Sequence, residues 1–329
     1  ALMTKTLPNL IFRVCIIAVI SFFSLQTYGQ YIFFGKPVYE IGLNIGPANL
    51  LGDLGGNYGT GKTFLKDNNI QMTKLMKGAH LTIRPSEFWG ITLSANFTTL
   101  EGADSIIADK GGAEVARKNR NLSVRTPIKE LTLTGEIYPL VILENDDKDL
   151  YHKFRPYGII GIGVFNFKPQ GQYTAPNGTK RWVDLKPLRT EGQGMPQYPD
   201  KKEYSLTQIN IPYGVGIRYY FSDRISAAFE IVNRKTFTDY IDDIGTEFID
   251  DSDFDSYFGA GSQTATIAKQ MHNKAEQVSP GVRIPAYNAG NKRGTPDRMD
   301  SYYSASIKVA IRLGGNGGSS GILRCPMVF

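Results

Sequence analysis

Cysteine and histidine are scarce in this chain, with two and three copies in 329 residues. That excludes a cysteine-rich metal centre or an internal disulfide framework. Long apolar runs are missing as well. Beyond residue 25 no stretch approaches the ~18 consecutive apolar residues that a membrane-spanning helix needs. A membrane location therefore requires strands. An excess of one charge sign is also absent: the formal net charge is +6, spread through acidic and basic segments alike. This is too diffuse for a nucleic-acid footprint, and nucleic acid is set aside as a partner.

What is present begins with Lys5 and Arg13 ahead of an apolar run from Val14 to Leu25. The run is about a dozen residues long and leads to Thr27-Tyr28-Gly29, the n-region, h-region and small-residue cleavage site of a secretory signal. Residues 1–29 are therefore expected to be a signal peptide, and about 300 residues remain. Without Lys5 and Arg13 the net charge falls by two, to about +4. Cys15 lies inside the apolar run, so Cys325 is the one cysteine of the expected mature chain.

Apolar residues then alternate with polar or small ones in eight segments, the period-2 signature of strands between two environments. The sixth, 209–221, is the clearest. Ile209, Ile211, Tyr213, Val215, Ile217, Tyr219 and Phe221 take one face; Asn210, Pro212, Gly214, Gly216, Arg218 and Tyr220 take the other. The remaining segments are 38–51, 77–85, 89–97, 130–140, 157–167, 225–234 and 303–313. In the fifth, Ile159 and Phe165 break the pattern by pointing inward, which suggests a bulge. Connections alternate short and long. Turns at 86–88, 144–154 and 222–224 interleave with loops at 52–75, 101–128, 168–207 and 235–301. This predicts an all-β fold: an eight-stranded antiparallel transmembrane β-barrel (30–313) with long external loops. Its outer face would meet outer-membrane lipid, both termini would be periplasmic, and 314–329 would form a periplasmic tail.

The polar faces place Glu40, His80, Arg84, Glu136, Arg218, Glu230, Lys308 and Arg312 in the lumen. Eight strands enclose only enough space for side chains, and buried charges persist when paired. These residues are therefore predicted to form an ionic plug.

Motifs for other chemistry fail on context. Gly56-Asn57-Tyr58-Gly59-Thr60-Gly61-Lys62-Thr63 matches a phosphate-binding loop, but the preceding strand alternates and no helical period follows, so no nucleotide is expected. Asp239, Asp242, Asp243, Glu247, Asp250, Asp251, Asp253 and Asp255 form an acidic patch. Asp251, Asp253 and Asp255 start like a calcium loop, but Ser256 and Ser262 stand where the Gly and terminal Glu belong. A solvated acidic loop is expected. Of the histidines, His152 falls in a turn and His80 in mid-strand. Only His272 falls in an external loop, with no rim acid or nucleophile fixed beside it, so it is read as a solvated loop residue. No catalytic residue, metal or cofactor is predicted. A rim hydrolase or lipid-modifying barrel, and an adhesion barrel, are the alternatives.

Three segments carry a resemblance: Asn233-Arg234-Lys235-Thr236-Phe237-Thr238-Asp239-Tyr240-Ile241-Asp242-Asp243, Asn291-Lys292-Arg293-Gly294-Thr295-Pro296-Asp297 and Arg324-Cys325-Pro326. With them the chain resembles the Bacteroidota outer-membrane barrel family that includes PorG of the type IX secretion system. The resemblance implies a non-enzymatic component of the secretion machinery, associated with a periplasmic ring of a lipoprotein and its partner. A Gly/Ser-rich tether, 314–321, leads to 322–329 and suits docking to such a partner. Cys325, with no mate in the mature chain, is then expected to form an intermolecular disulfide with the ring lipoprotein.

Overall fold

The computed structural model describes residues 37–54, 70–107, 110–111, 114–143, 153–278 and 285–313. The signal peptide, the Gly56–Thr63 motif, His152 and the tail with Cys325 lie outside the described residues.

Ten strands form, all paired antiparallel. They are β1 (Val38–Leu51), β2 (Lys74–Arg84), β3 (Trp89–Ala103), β4 (Ser123–Ile137), β5 (Phe154–Phe167), β6 (Gln170–Thr174), β7 (Lys180–Asp184), β8 (Thr207–Tyr220), β9 (Ile225–Thr236) and β10 (Ser301–Leu313). Eight of them run β3-β2-β1-β10-β9-β8-β5-β4, and pairing of β3 with β4 closes the circle. The fold is thus a closed eight-stranded antiparallel β-barrel. The remaining pair, β6 and β7, forms a hairpin that extends β4 at the long-loop end through Val124↔Gly171 and Arg125↔Gln170.

Side chains sort by strand parity as the alternation demands. Leu43, Ile162 and Val215 are 69%, 67% and 63% exposed on the outside. Outward residues meet across the ladders, as in Ile41↔Ile311 and Leu93↔Leu133. A belt of this extent has no place in water. On β3 it runs from Trp89 to Phe97. Eight rises of about 3.4 Å, tilted by about 40°, give a band roughly 20 Å tall, near the ~25 Å apolar band of membrane barrels. At its long-loop edge, Lys77 and Lys129 flank Phe97 in register, where lysine stems lie along apolar surface with the ammonium in water. At the short-turn edge Phe154 packs tilted against Tyr219 at 4.6 Å, and Tyr219 edge-on against Phe221 at 4.9 Å between ring centroids, an interfacial aromatic cluster. No helix among the described residues is long and apolar enough to cross a membrane.

Two details of β5 differ from the expected bulge. Its pairing with β8 keeps one register from Phe154↔Tyr219 to Asn166↔Thr207, so no residue is inserted. The gap in that ladder falls opposite Pro212, which has no N–H to donate. Ile159 and Phe165 simply fill the lumen, 7% and 0% exposed. Inward glycines make room for large neighbours: a Cβ on Gly216 would stand 2.5 Å from the Tyr157 ring, and one on Gly42 the same distance from His80.

The described parts of the long connections build a second packed layer across one mouth. Besides the β6–β7 hairpin they contribute α1 (Glu114–Arg120), α2 (Asp251–Phe258) and α3 (Gln263–His272). Asp250 caps α2 by accepting from Ser252 N, and Ser262 caps α3 by accepting from Ala265 N. Leu122, Tyr173, Leu188, Met195, Phe254 and Met271, from three different loops and their strand ends, share one hydrophobic core.

Candidate functional site

The lumen holds two ionic clusters. In the first, nearer the short turns, Arg84 Nη2 donates to Glu40 Oε1 at 2.6 Å, and Arg218 bridges Glu40 Oε2 at 2.5 Å and Glu136 Oε2 at 2.9 Å. Lys308 Nζ then links Glu136 at 3.3 Å to Glu230 at 2.8 Å. Hydroxyls occupy the remaining lone pairs. Thr92 donates to Glu136 at 2.7 Å, Tyr138 to Glu136 at 2.5 Å and Tyr157 to Glu230 at 2.6 Å. Three acids face three bases, so the cluster is neutral and nearly fully hydrogen-bonded, the condition under which buried charge persists. His80 is buried beside it. Arg312 does not join: half-exposed at the strand end, it makes no ion pair among the described residues, and its backbone N–H donates to Arg224 O. One residue from the barrel mouth, it stands too far along β10 to reach the acids that Lys308 meets.

The second cluster was not anticipated. Glu130 accepts from Arg234 Nε, Asn210 Nδ2 and Tyr302 Oη, each at 2.9 Å, and from Asn96 Nδ2 at 3.0 Å. Its members were legible by parity, since Glu130 shares the face of Glu136 and Arg234 that of Glu230. Between the clusters a cavity of about 30 Å³ is lined by Asn96, Thr132, Glu230, Arg234 and Lys308. That is space for a water or two, not for a conduction path.

The loop layer is equally built. Arg120 grips Asp104 bidentately, Nε–Oδ2 2.8 Å and Nη2–Oδ1 2.9 Å, and also donates to the carbonyl oxygens of Asp53 and Arg293. Arg293 donates to Glu191 Oε1 at 2.8 Å and to Asp243 O at 2.6 Å. His272 corrects the solvated reading: it is 1% exposed, between the rings of Phe248 and Phe254, with Nδ1 2.5 Å from Thr190 O and Nε2 3.1 Å from Ile249 O. Two carbonyl acceptors would suit an imidazolium. Burial beside the Arg293 guanidinium outweighs them and pushes the ring down to about 3. His272 is therefore a neutral packing residue, out of reach of any substrate in solvent.

The acidic patch is solvated only in part: Glu247, Asp250 and Asp251 are exposed and Asp253 and Asp255 partly so. Asp239, Asp242 and Asp243 are buried, and Asp300 joins them from the start of β10. Asp251, Asp253 and Asp255 lie on helix α2 instead of in a calcium loop. Burial, followed by the neighbouring carboxylates, pushes Asp239 up to about 9 and Asp242 to about 8, and raises Asp300 well above its ordinary value. These acids keep protons in the folded layer that the unfolded chain releases near 3.8. Their contribution is complete below that pH and is lost as pH rises toward 9. His272 acts in the opposite sense, only below its unfolded value of 6.5. Lys274, which burial pushes down to about 8, opposes the acids above that pH. Between pH 6.5 and 8 the three acids dominate, so in chelator the 235–301 loop should be cut faster by protease at pH 8 than at pH 6.5, after normalisation to an unfolded substrate. Equal normalised rates would contradict the assignment.

The sequence matches no family model and no curated protein. Among solved structures the chain is similar to Ail, the attachment invasion locus protein of Yersinia pestis. That match has 9% identity and a TM-score of 0.32, covering 85% of this chain and 99% of that one. It is also similar to the N-terminal β-barrel domain of OprF from Pseudomonas aeruginosa, at 7% identity and a TM-score of 0.30, with 85% and 98% covered. OprG from the same organism gives 10% identity and a TM-score of 0.30, with 86% and 97% covered.

Proposed function

We propose that this chain is an outer-membrane barrel acting as a non-enzymatic component of the type IX protein secretion machinery. In this role it holds a periplasmic ring lipoprotein and its partner at the membrane. The observation that carries the reading is the filled lumen: a barrel stoppered by two ionic clusters works through its surfaces, not its interior. The apolar belt supports membrane insertion, and the resemblance to PorG-type barrels supplies the partner. The short turns and the 314–329 tail then face the periplasm, and the folded loop layer faces outward.

The test is affinity purification of the full chain from native membranes, with partners identified by mass. The ring lipoprotein should co-purify, be lost on deletion of 314–329, and run on non-reducing gels as a heavier species that disappears in Cys325→Ser. Tags in the 168–207 loop should be reached by antibody on intact cells, and a tag at 222–224 only after the outer membrane is opened. Recovery of the barrel without any ring component, or the reverse tag accessibility, would remove this reading.

A further inference from the structure

Four carboxylates in the loop layer, those of Asp53, Asp239, Asp242 and Asp300, make no ion pair among the described residues. Asp239 is 6% exposed and neither of its carboxylate oxygens has a hydrogen-bond partner among the described residues; Asp300 is 2% exposed and its Oδ1 has none. Asp300 Oδ2 accepts from Ile241 N at 2.8 Å. Asp242 accepts from Asp53 N at 2.8 Å and from Ile244 N at 3.0 Å, and Asp53 Oδ2 accepts from Thr295 N. The two buried guanidiniums are committed elsewhere, Arg120 to Asp104 and Arg293 to Glu191.

The acids converge on a glycine-lined space. A Cβ on Gly52 would stand 2.6 Å from Asp242 Oδ2 and 2.7 Å from Asp300 Oδ1, so both oxygens aim at the point a side chain would occupy. Equivalent atoms on Gly294 and Gly245 would stand 2.9 Å from Asp53 Oδ2 and 3.1 Å from Asp239 Oδ2. Gly294 and Gly245 are themselves in contact, which joins the two halves of the set. Gly52 is exposed and Asp53 half-buried, so the set lies directly beneath the surface.

We propose that Asp53, Asp239, Asp242 and Asp300 bind a calcium ion that pins β1, the β9–β10 loop and the start of β10 together. An all-oxygen set that becomes multiply anionic as the ion displaces its protons selects a hard cation. Calcium tolerates irregular coordination, whereas magnesium demands near-ideal octahedral geometry and sheds water reluctantly. Among the described residues no three His, Cys, Asp or Glu side chains already stand in a metal-holding arrangement, so the ion must draw Asp53 and Asp239 toward the Asp242–Asp300 pair. The site is unrelated to the Asp251-Asp253-Asp255 spacing.

The experiment uses the full chain, purified in detergent and stripped with chelator, titrated with calcium chloride by calorimetry. One saturable site should appear, with a dissociation constant of about 0.1–1 mM, as in extracellular calcium modules, and weaker or no binding of magnesium. Calcium should slow proteolysis of the 235–301 loop. Asp239→Asn and Asp300→Asn should abolish both effects while the barrel keeps its heat-modifiable gel mobility, and exposed Asp297→Asn should change neither. Gly52→Ala, which fills the convergence point and keeps all four carboxylates in the sequence, should also abolish binding. No saturable heat with the native chain, or undiminished binding by the Asn and Ala variants, would overturn the site in favour of carboxylates neutralised by protons alone.

Discussion

Replacing Glu136 with Leu should lower the unfolding transition of the purified barrel more than any other single luminal change. Glu136 alone joins Arg218 to Lys308, and it accepts from Thr92 and Tyr138 besides. Its loss leaves three buried bases against two acids, Arg218 held by Glu40 alone and Lys308 by Glu230 alone. Breaking a buried pair by removing one partner costs about 3–5 kcal/mol. The readout is the temperature at which the heat-modifiable band shifts on a gel. Arg312→Leu, outside the network, should leave that temperature unchanged. A second variant separates charge from packing: with Lys308→Leu added to Glu136→Leu, part of the loss should return, because the cluster is again neutral, with Glu40 and Glu230 against Arg84 and Arg218, and the coupling of the pair is removed. An unshifted transition in Glu136→Leu, or a double variant worse than the sum of the singles, would rule out the neutral plug.

Arg293→Met should instead unfasten the loop layer and leave the barrel standing. Arg293 is the buried partner of Glu191, which is fully inaccessible, and it also holds the carbonyl oxygens of Asp243 and His272. In the variant, Glu191 retains only donors without full charge, the N–H groups of Gly245 and Thr246 and the Thr246 hydroxyl. An uncompensated buried carboxylate again costs about 3–5 kcal/mol. Here the cost falls on a unit that opens separately from the strands. Proteolysis within 235–301 should accelerate sharply at unchanged heat-modifiable mobility. A resistant loop layer, or a barrel that melts with it, would show that the two layers are not separable in this way.

The strands were legible because each separates lipid from a packed lumen, and that demand is written residue by residue with period 2. Val38–Leu51 was located to the residue. Others were read short where they rise beyond the membrane: β3 continues from Phe97 to Ala103 and β4 begins at Ser123. There both faces meet protein or water, and the alternation no longer reports on lipid. The same rule placed all eight proposed luminal residues on inward faces, seven of them buried, and would have found Glu130 and Arg234 had it been carried along the whole of β4 and β9. It overextended to Arg312, because parity tells which face a side chain takes and not how deep it lies.

The loops obey no such local rule. His272 and the acids of 239–243 read as solvated from their polar surroundings, yet all are enclosed. What encloses them comes from afar: Thr190 is 82 residues from His272, and Glu191 is 102 from Arg293. Long loops on one mouth of a barrel are held side by side by the strands beneath them, so their packing partners are set by barrel closure and not by neighbours in sequence. The sequence by itself determined the number of barrel strands, their two faces and the alternation of turns and loops, since each follows from local period and spacing; the β6–β7 hairpin inside the 168–207 loop was not legible in it. Only the tertiary structure decided which charges pair, which histidine is buried and which carboxylates converge at Gly52, because those depend on strands and loops brought together across the closed circle.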